Sequence, residues 1–374
     1  MKQFYLLDLI RGSAALLVVM GHLRSLMFES WNGGGLFKII FYAVTSLGHQ
    51  AVIVFFVLSG FFVGGSFIAD KNKDIFKYSI KRISRFYTVL IPALVLTWII
   101  DSIGIYLFKA NALYGGYSDN YVLKYDVASR LNLETLFANM IYLQDIIYPT
   151  FGSNGALWSL AYEFWFYIIF PLLWFILFSK NRNCKMVSIL LIVTMFYFLG
   201  LKGVIYLLIW LIGVLVHYLY NSENVNKKIK QRKYKIILIL SIICTLLMSF
   251  FYRTWGLMAD LILGISFGLL LLIIVNSKEI SSIYLRKIAT FIANISFSMY
   301  AIHLPILVLI IAFFTKGNVF EFNFINLVKY LIILGCVMGL SFIFWRSFES
   351  KTYIVNSYLS KLLRKWGTNL NEFK

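Results

Sequence analysis

The apolar run from Leu7 to Arg24 is interrupted by Asp8, Arg11 and His22. An ionisable side chain inside a segment long enough to span a bilayer costs a few kcal/mol on insertion scales, so such residues mark function unless they pair. Asp8 and Arg11 stand three residues apart, on one helical face, and can pair. His22 lies eleven residues beyond Arg11, roughly 16 Å along a helix. An imidazole is a base near neutral pH, and a neighbouring carboxylate that fixes its tautomer makes it a better one. A second run, opening with Trp158-Ser159-Leu160-Ala161-Tyr162-Glu163, crosses in the opposite sense and brings Glu163 to a depth comparable with His22. The residues alone leave two readings open: a His22–Glu163 base and orienter, or a neutral histidine hydrogen-bonded for packing.

Arg82 and Arg85, in Lys81-Arg82-Ile83-Ser84-Arg85, share a face at i and i+3 and form either an anion clamp or a pair snorkelling to lipid headgroups. Ser59 lies in the small-residue run Phe55 to Gly65 and is read as a packing residue. The segment Ile295 to Pro305 contains Ser296, Tyr300 and His303. Pro305 is expected to kink or interrupt its helix, and His303 is either satisfied at that kink or a second polar lining group. His49 and His217 lie near the ends of apolar runs and need no function, and Glu349 is expected to pair with a nearby Arg or Lys. Cys184, Cys244 and Cys336 have neither metal-ligand nor disulfide spacing, and no metal site is expected.

These residues need a membrane scaffold. Of 374 residues, 60% are hydrophobic and 14% charged, a composition that excludes an ordinary soluble globular protein. About ten apolar runs reach the spanning length of about twenty residues or approach it: 5–27, 50–69, 86–108, 156–178, 186–201, 203–220, 236–252, 256–275, 288–314 and 327–347. The predicted fold is all-α and polytopic. The 35 Lys and Arg outnumber the 16 Asp and Glu, giving a net charge of +19, and they collect on alternate loops, after spans two, four, six and eight and in the tail. By the positive-inside rule both termini are expected in the cytoplasm and loop 109–155 outside, with Leu133–Ile147 along the interface as an amphipathic helix. The charge is a topology signal and an attraction to anionic membrane lipid rather than a nucleic-acid footprint. The first run is read as a retained span, not a cleaved leader. An integral-membrane domain over 1–350 and a cytoplasmic basic tail over 351–374 complete the expected organisation.

Taken in order, five segments resemble acyltransferase family 3, integral-membrane acyltransferases of bacterial surface carbohydrates. They are Leu7-Asp8 through Arg11-Gly12 to His22, Phe55 to Phe61, Arg82-x-x-Arg85, Trp158-Ser159-Leu160-x-x-Glu163-x-x-Phe166-Tyr167, and Ile295-Ser296-Phe297-Ser298-x-Tyr300 with His303 and Pro305. The resemblance implies a multi-pass protein of the inner (plasma) membrane, acetyl-CoA as cytoplasmic acyl donor, and a carbohydrate hydroxyl of the cell envelope as acceptor. It also implies a functional histidine at His22 and arginines at Arg82 and Arg85; the leading reading built on it makes His22 the general base with Glu163 orienting it or relaying its proton, Arg82 and Arg85 the holders of the CoA phosphates, and Arg11 with Asp8 a pair near the donor channel. Ser59, Trp158, Ser159, Tyr300 and His303 are the substrate-facing or structural polar residues. Phe297 stands where the family often has tyrosine, and the proline that often follows the terminal glutamate is missing after Glu349. A transporter or flippase for lipid-linked sugars is the alternative class, weakened by the lack of a visible repeat. A membrane glycosyltransferase would want acidic residues in the first outer loop, which offers Glu29. Oligomeric state is open at this stage.

Overall fold

A computed structural model describes residues 4–108, 111–117, 122–223, 236–237, 239–241, 243–244, 247, 256–315 and 319–371. Long helices dominate: α1 (Tyr5–Met27), α2 (Leu36–Thr45), α3 (Gly48–Ser59), α4 (Ile75–Leu107), α5 (Leu133–Met140), α6 (Trp158–Phe178), α7 (Arg182–Tyr220), α8 (Leu257–Val275), α9 (Ile283–Thr315), α10 (Phe324–Ser347) and α11 (Thr352–Asn371). Among the described residues two isolated bridges are the sole β-type pairings. Eight segments are long and apolar enough to cross a membrane, so the protein is an all-α, multi-pass membrane protein.

The difference from about ten runs has two sources. Spans five and six fall on α7, whose 39 residues are broken at Gly200 by φ 62° and ψ −173°, a conformation open to glycine and strained for other residues. Beyond that break the chain doubles back, placing Lys202 beside Trp158 and Tyr220 beside Phe4. The run 236–252 falls mostly outside the described residues. Leu133–Ile147 is helical as far as Met140 and then turns, with Tyr142 and Asp145 both at φ 60°.

Polar side chains start several helices. Asp74 accepts from Lys77 N at 2.9 Å to open α4, and Asn132 accepts from Thr135 N at 2.8 Å to open α5, each satisfying an amide left without a partner in the first turn. The core is apolar and aromatic. Trp210, Phe56, Phe166 and Tyr206 are fully buried where α3, α6 and α7 meet. Between α3 and α7 the two backbones touch: a Cβ on Gly60 would sit 1.9 Å from Trp210 O, and one on Gly213 would sit 1.9 Å from Val57 O.

α9 continues unbroken through Pro305, contrary to an interrupted helix. Proline removes the amide that would bond the carbonyl four residues back, here Ala301 O. Asn154 Nδ2 donates to that oxygen at 2.9 Å and to Thr97 Oγ1 at 3.1 Å, which is how a freed carbonyl is tolerated at membrane depth. Asn154 is itself fixed by its neighbours. The buried Asp101 of α4 accepts from Ser153 N and Ser153 Oγ, both at 2.7 Å. This latch sets the loop that leads into Trp158 and the start of α6.

Candidate active site

α1 lies against α3 and α9, and its polar residues meet partners from these and other helices. At one end Arg11 Nη2 lies 3.2 Å from Asp8 Oδ1. Near the other end, His22 Nδ1 is 2.8 Å from His303 Nε2, the two rings nearly parallel at 9°. His303 is fully buried, and its Nδ1 lies 3.0 Å from Met299 O and 2.9 Å from Tyr300 O. Carbonyl oxygens only accept, so Nδ1 of His303 carries the proton. With both rings neutral its Nε2 must then accept from His22 Nδ1–H. The network therefore assigns the lone pair of His22 to Nε2, a nitrogen oriented for taking a proton without any carboxylate on the ring.

Glu163 is held elsewhere. Tyr167 OH donates to Glu163 Oε1 at 2.6 Å, Ser59 Oγ lies 3.0 Å from Tyr167 OH, and Trp210 Nε1 donates to Ser59 Oγ at 3.0 Å. An indole N–H can only donate, so the chain runs from Trp210 through Ser59 and Tyr167 to the carboxylate. Ser59 thus does more than pack. Ser159 Oγ and Tyr300 OH form another buried pair, 2.7 Å apart, and the Tyr300 ring centre is 6.0 Å from that of His303.

Two cavities meet at Arg11 and Arg85. One, of about 100 Å³, is walled by Phe55, Phe56, Phe62, Phe86 and Phe297 and carries Ser59, Ser159, Glu163, Tyr167 and Tyr300 as polar groups. The other, of about 270 Å³, opens between Asn294, Trp345, Glu349 and Thr352. Arg11 and Arg85 line both. Arg85 Nη2 is 3.9 Å from Glu349 Oε1, while Glu349 Oε2 accepts from Ser298 N at 3.2 Å and Ser298 Oγ at 2.6 Å. Arg82 bonds Ser66 Oγ at 3.0 Å and lies over the Tyr78 and Tyr167 rings. It is Arg11, from α1, that joins Arg85 at the shared wall. A π-helical turn at Gly60–Gly64 places Phe62 and Val63 in the apolar cavity; such turns recur at functional sites.

Several of these residues escape a sequence reading. Tyr167 had a signal, because it stands four residues after Glu163 on the same helical face. Trp210 and Asp101 are reached only through tertiary packing, as is the partner that Ser298 finds in Glu349. His49 also has a partner: its Nε2 is 2.8 Å from Asp260 Oδ1. No group of three or more potential metal ligands occurs among the described residues.

Comparison with known proteins agrees with this architecture. The chain is 28% identical over 155 residues to an uncharacterised protein of Haemophilus influenzae, covering 39% of this chain and 58% of that one. It is 27% identical over 164 residues to an O-acetyl transferase of Shigella phage Sf6, covering 43% of each. The chain thus spans about half the length of the curated relatives it matches. No solved structure matches it significantly. The profile of the family described as "Acyltransferase domain" matches residues 4–346, nearly the whole bundle, and the chain belongs to that family, acyltransferase family 3.

Proposed function

We propose that this membrane acyltransferase moves an acetyl group from acetyl-CoA, taken from the cytoplasm, to a hydroxyl of a carbohydrate in the cell envelope, working in the inner (plasma) membrane. The observation that carries the reading is the wall shared by a polar mouth and an apolar cavity, formed by Arg11 and Arg85, with a histidine pair beyond the cavity's far end. The residues fit an anionic donor with a narrow arm. Arg11 Nε, on the shared wall, is buried without an acceptor, and a buried orphan donor is costly unless a ligand satisfies it. Arginine forks suit phosphate oxygens, and an aromatic slot suits a slender chain. The described basic segments that lead to Arg85 and to Asn294, and the tail beyond Glu349, adjoin the mouth, and the positive-inside rule assigns that end to the cytoplasm. The basic tail from residue 351 belongs to that face, beside anionic membrane lipid.

The donor, once bound, supplies an activated acyl carbonyl. His22 Nε2 takes the proton of the acceptor hydroxyl, whose oxygen bonds the acyl carbon as the C–S bond of the thioester breaks, and the proton passes on to the departing CoA thiolate. The Nδ1–H of His22 stays on His303 Nε2, so the positive charge formed on the ring is stabilised by a partner that keeps its geometry. Glu163, pinned by Tyr167, presents its carboxylate to the donor cavity rather than to the His22 ring. Asp8 holds Arg11 in the direction of that cavity. The cited phage relative, an O-acetyl transferase, supports the choice of acetyl and of an oxygen acceptor.

The test uses the full chain in lipid nanodiscs, radiolabelled acetyl-CoA, and the host's own envelope polysaccharide stripped of esters by mild alkali. Wild-type protein is expected to label the polysaccharide, and His22→Ala to lose at least about 100-fold in rate at unchanged yield of folded protein. A His22→Ala variant with wild-type rate would overturn the base assignment. Arg11→Ala with Arg85→Ala is expected to weaken acetyl-CoA binding by about tenfold or more.

A further inference from the structure

Beside the donor cavity lies a second cluster of titratable and aromatic side chains that the donor path and the histidine pair do not use. Asp260, at the start of α8, is 1% exposed, and its carboxylate meets His49 Nε2 at 2.8 Å and accepts from Tyr206 OH at 3.3 Å. His49 is 26% exposed at its side chain, so the buried carboxylate communicates with the surface through that imidazole. The Trp158 indole lies parallel to it, ring centres 6.3 Å apart and planes at 8°. Lys202 Nζ lies 4.9 Å from the Trp158 ring centre and 2.6 Å from Asp145 Oδ2. Four separate helices and a loop bring these groups together.

Their position relative to the reaction centre follows from the backbone. A Cβ on Gly48 would sit 3.6 Å from Val18 Cα, so the start of α3, with His49 next in sequence, crosses α1 one turn before His22. Trp158 adjoins Ser159, whose hydroxyl is bonded to Tyr300, three residues before His303. Val52, one turn after His49, and Ser159 both line the donor cavity. The cluster thus shares α3 and the start of α6 with that cavity, at the level where α3 crosses α1.

We propose that Trp158, His49, Asp260 and Lys202 form the acceptor subsite, which holds one sugar ring so that a hydroxyl meets His22; this rests on the acyl-transfer reading above. The negative face of the indole takes the C–H face of the ring. The Lys202 ammonium, anchored by Asp145, hydrogen-bonds a ring hydroxyl, while the His49–Asp260 pair fixes the side of the indole. Few polar groups placed precisely around an aromatic floor are what ring recognition requires. A carboxylate–histidine pair that merely tied α3 to α8 would need neither the parallel indole nor a lysine over its face.

The test measures binding apart from transfer. Oligosaccharides cut from the ester-stripped envelope polysaccharide are titrated into nanodisc-embedded protein without donor, followed by saturation-transfer NMR. Wild type is expected to bind them. Lys202→Ala, Trp158→Ala and Asp260→Asn are each expected to weaken that binding about tenfold while leaving acetyl-CoA binding unchanged, and Trp158→Phe to retain part of it. Lys202 is 41% exposed at its side chain, so Lys202→Ala keeps the test decisive if a core variant fails to fold. Oligosaccharide binding unchanged in Lys202→Ala and Trp158→Ala overturns the subsite, as does no binding by wild type. Binding lost in the variants, with no acetyl transfer by wild type, supports the subsite and sinks the acyl-transfer reading instead.

Discussion

The two ring nitrogens of His22 have different surroundings, and the difference is set by atoms on another helix. Met299 O and Tyr300 O hold the His303 proton on Nδ1, and His303 Nε2 in turn holds the His22 proton on Nδ1. His303→Gln, whose side-chain oxygen still accepts from His22 Nδ1–H, is therefore expected to keep most of the transfer rate, while His303→Ala is expected to lose about 10²-fold or more without losing acetyl-CoA binding. Acetyl transfer and acetyl-CoA titration on the same preparations check this, and equal rates for the two variants would refute a positioning role. The sequence made His22 legible because a histidine in a spanning run is expensive. Its partner was less so: the depth argument brought Glu163 to His22, and only side-chain placement shows that the ring pairs with His303. His49 was read as needing nothing, because the Asp260 that orients it lies more than two hundred residues away in the chain.

At the scale of elements, apolar length was legible where one helix stands alone, as in the runs of α1, α6, α9 and α10. The run at 86–108 missed the first eleven residues of α4, which starts at Ile75 on the cap of Asp74 in a polar stretch that apolar length does not mark. The division of α7 was legible to within two residues, between the runs 186–201 and 203–220, though not the positive φ of Gly200 that makes it, and the tolerance of Pro305 was not legible. Pro305 leaves α9 unbroken because Asn154, supplied by a loop fixed through Asp101 and Ser153, takes the freed carbonyl. Asn154→Leu is a matching test of that compensation, removing a buried donor at a cost of about 1–3 kcal/mol. The α3–α7 contact is less forgiving. Gly60→Ala or Gly213→Ala forces a methyl into backbone atoms at 1.9 Å, so either is expected to lower the melting temperature of the detergent-solubilised protein by several degrees, corresponding to about 1–3 kcal/mol. Gly35→Ala, which meets nothing within 4 Å, should leave it unchanged and serves as the control.

Across the whole molecule, the family and the membrane class were readable because composition and five spaced motifs act together, whereas the route through the bundle was not, since it depends on which helices abut. The Arg11 and Arg85 wall joins α1 to α4, although the sequence groups Arg82 with Arg85. A cysteine placed at the exposed Leu133 in a variant lacking the three native cysteines should react with a membrane-impermeant maleimide added to intact cells, while one at Lys351 should react only after lysis. Labelling of both from outside would reverse the topology and with it the side from which the donor enters. The Ser159–Tyr300 bond has one more consequence. Both hydroxyls line the apolar cavity and are buried against each other, so α6 and α9 are tied at the cavity wall by one neutral bond, and a shift of either helix along the other would have to break it.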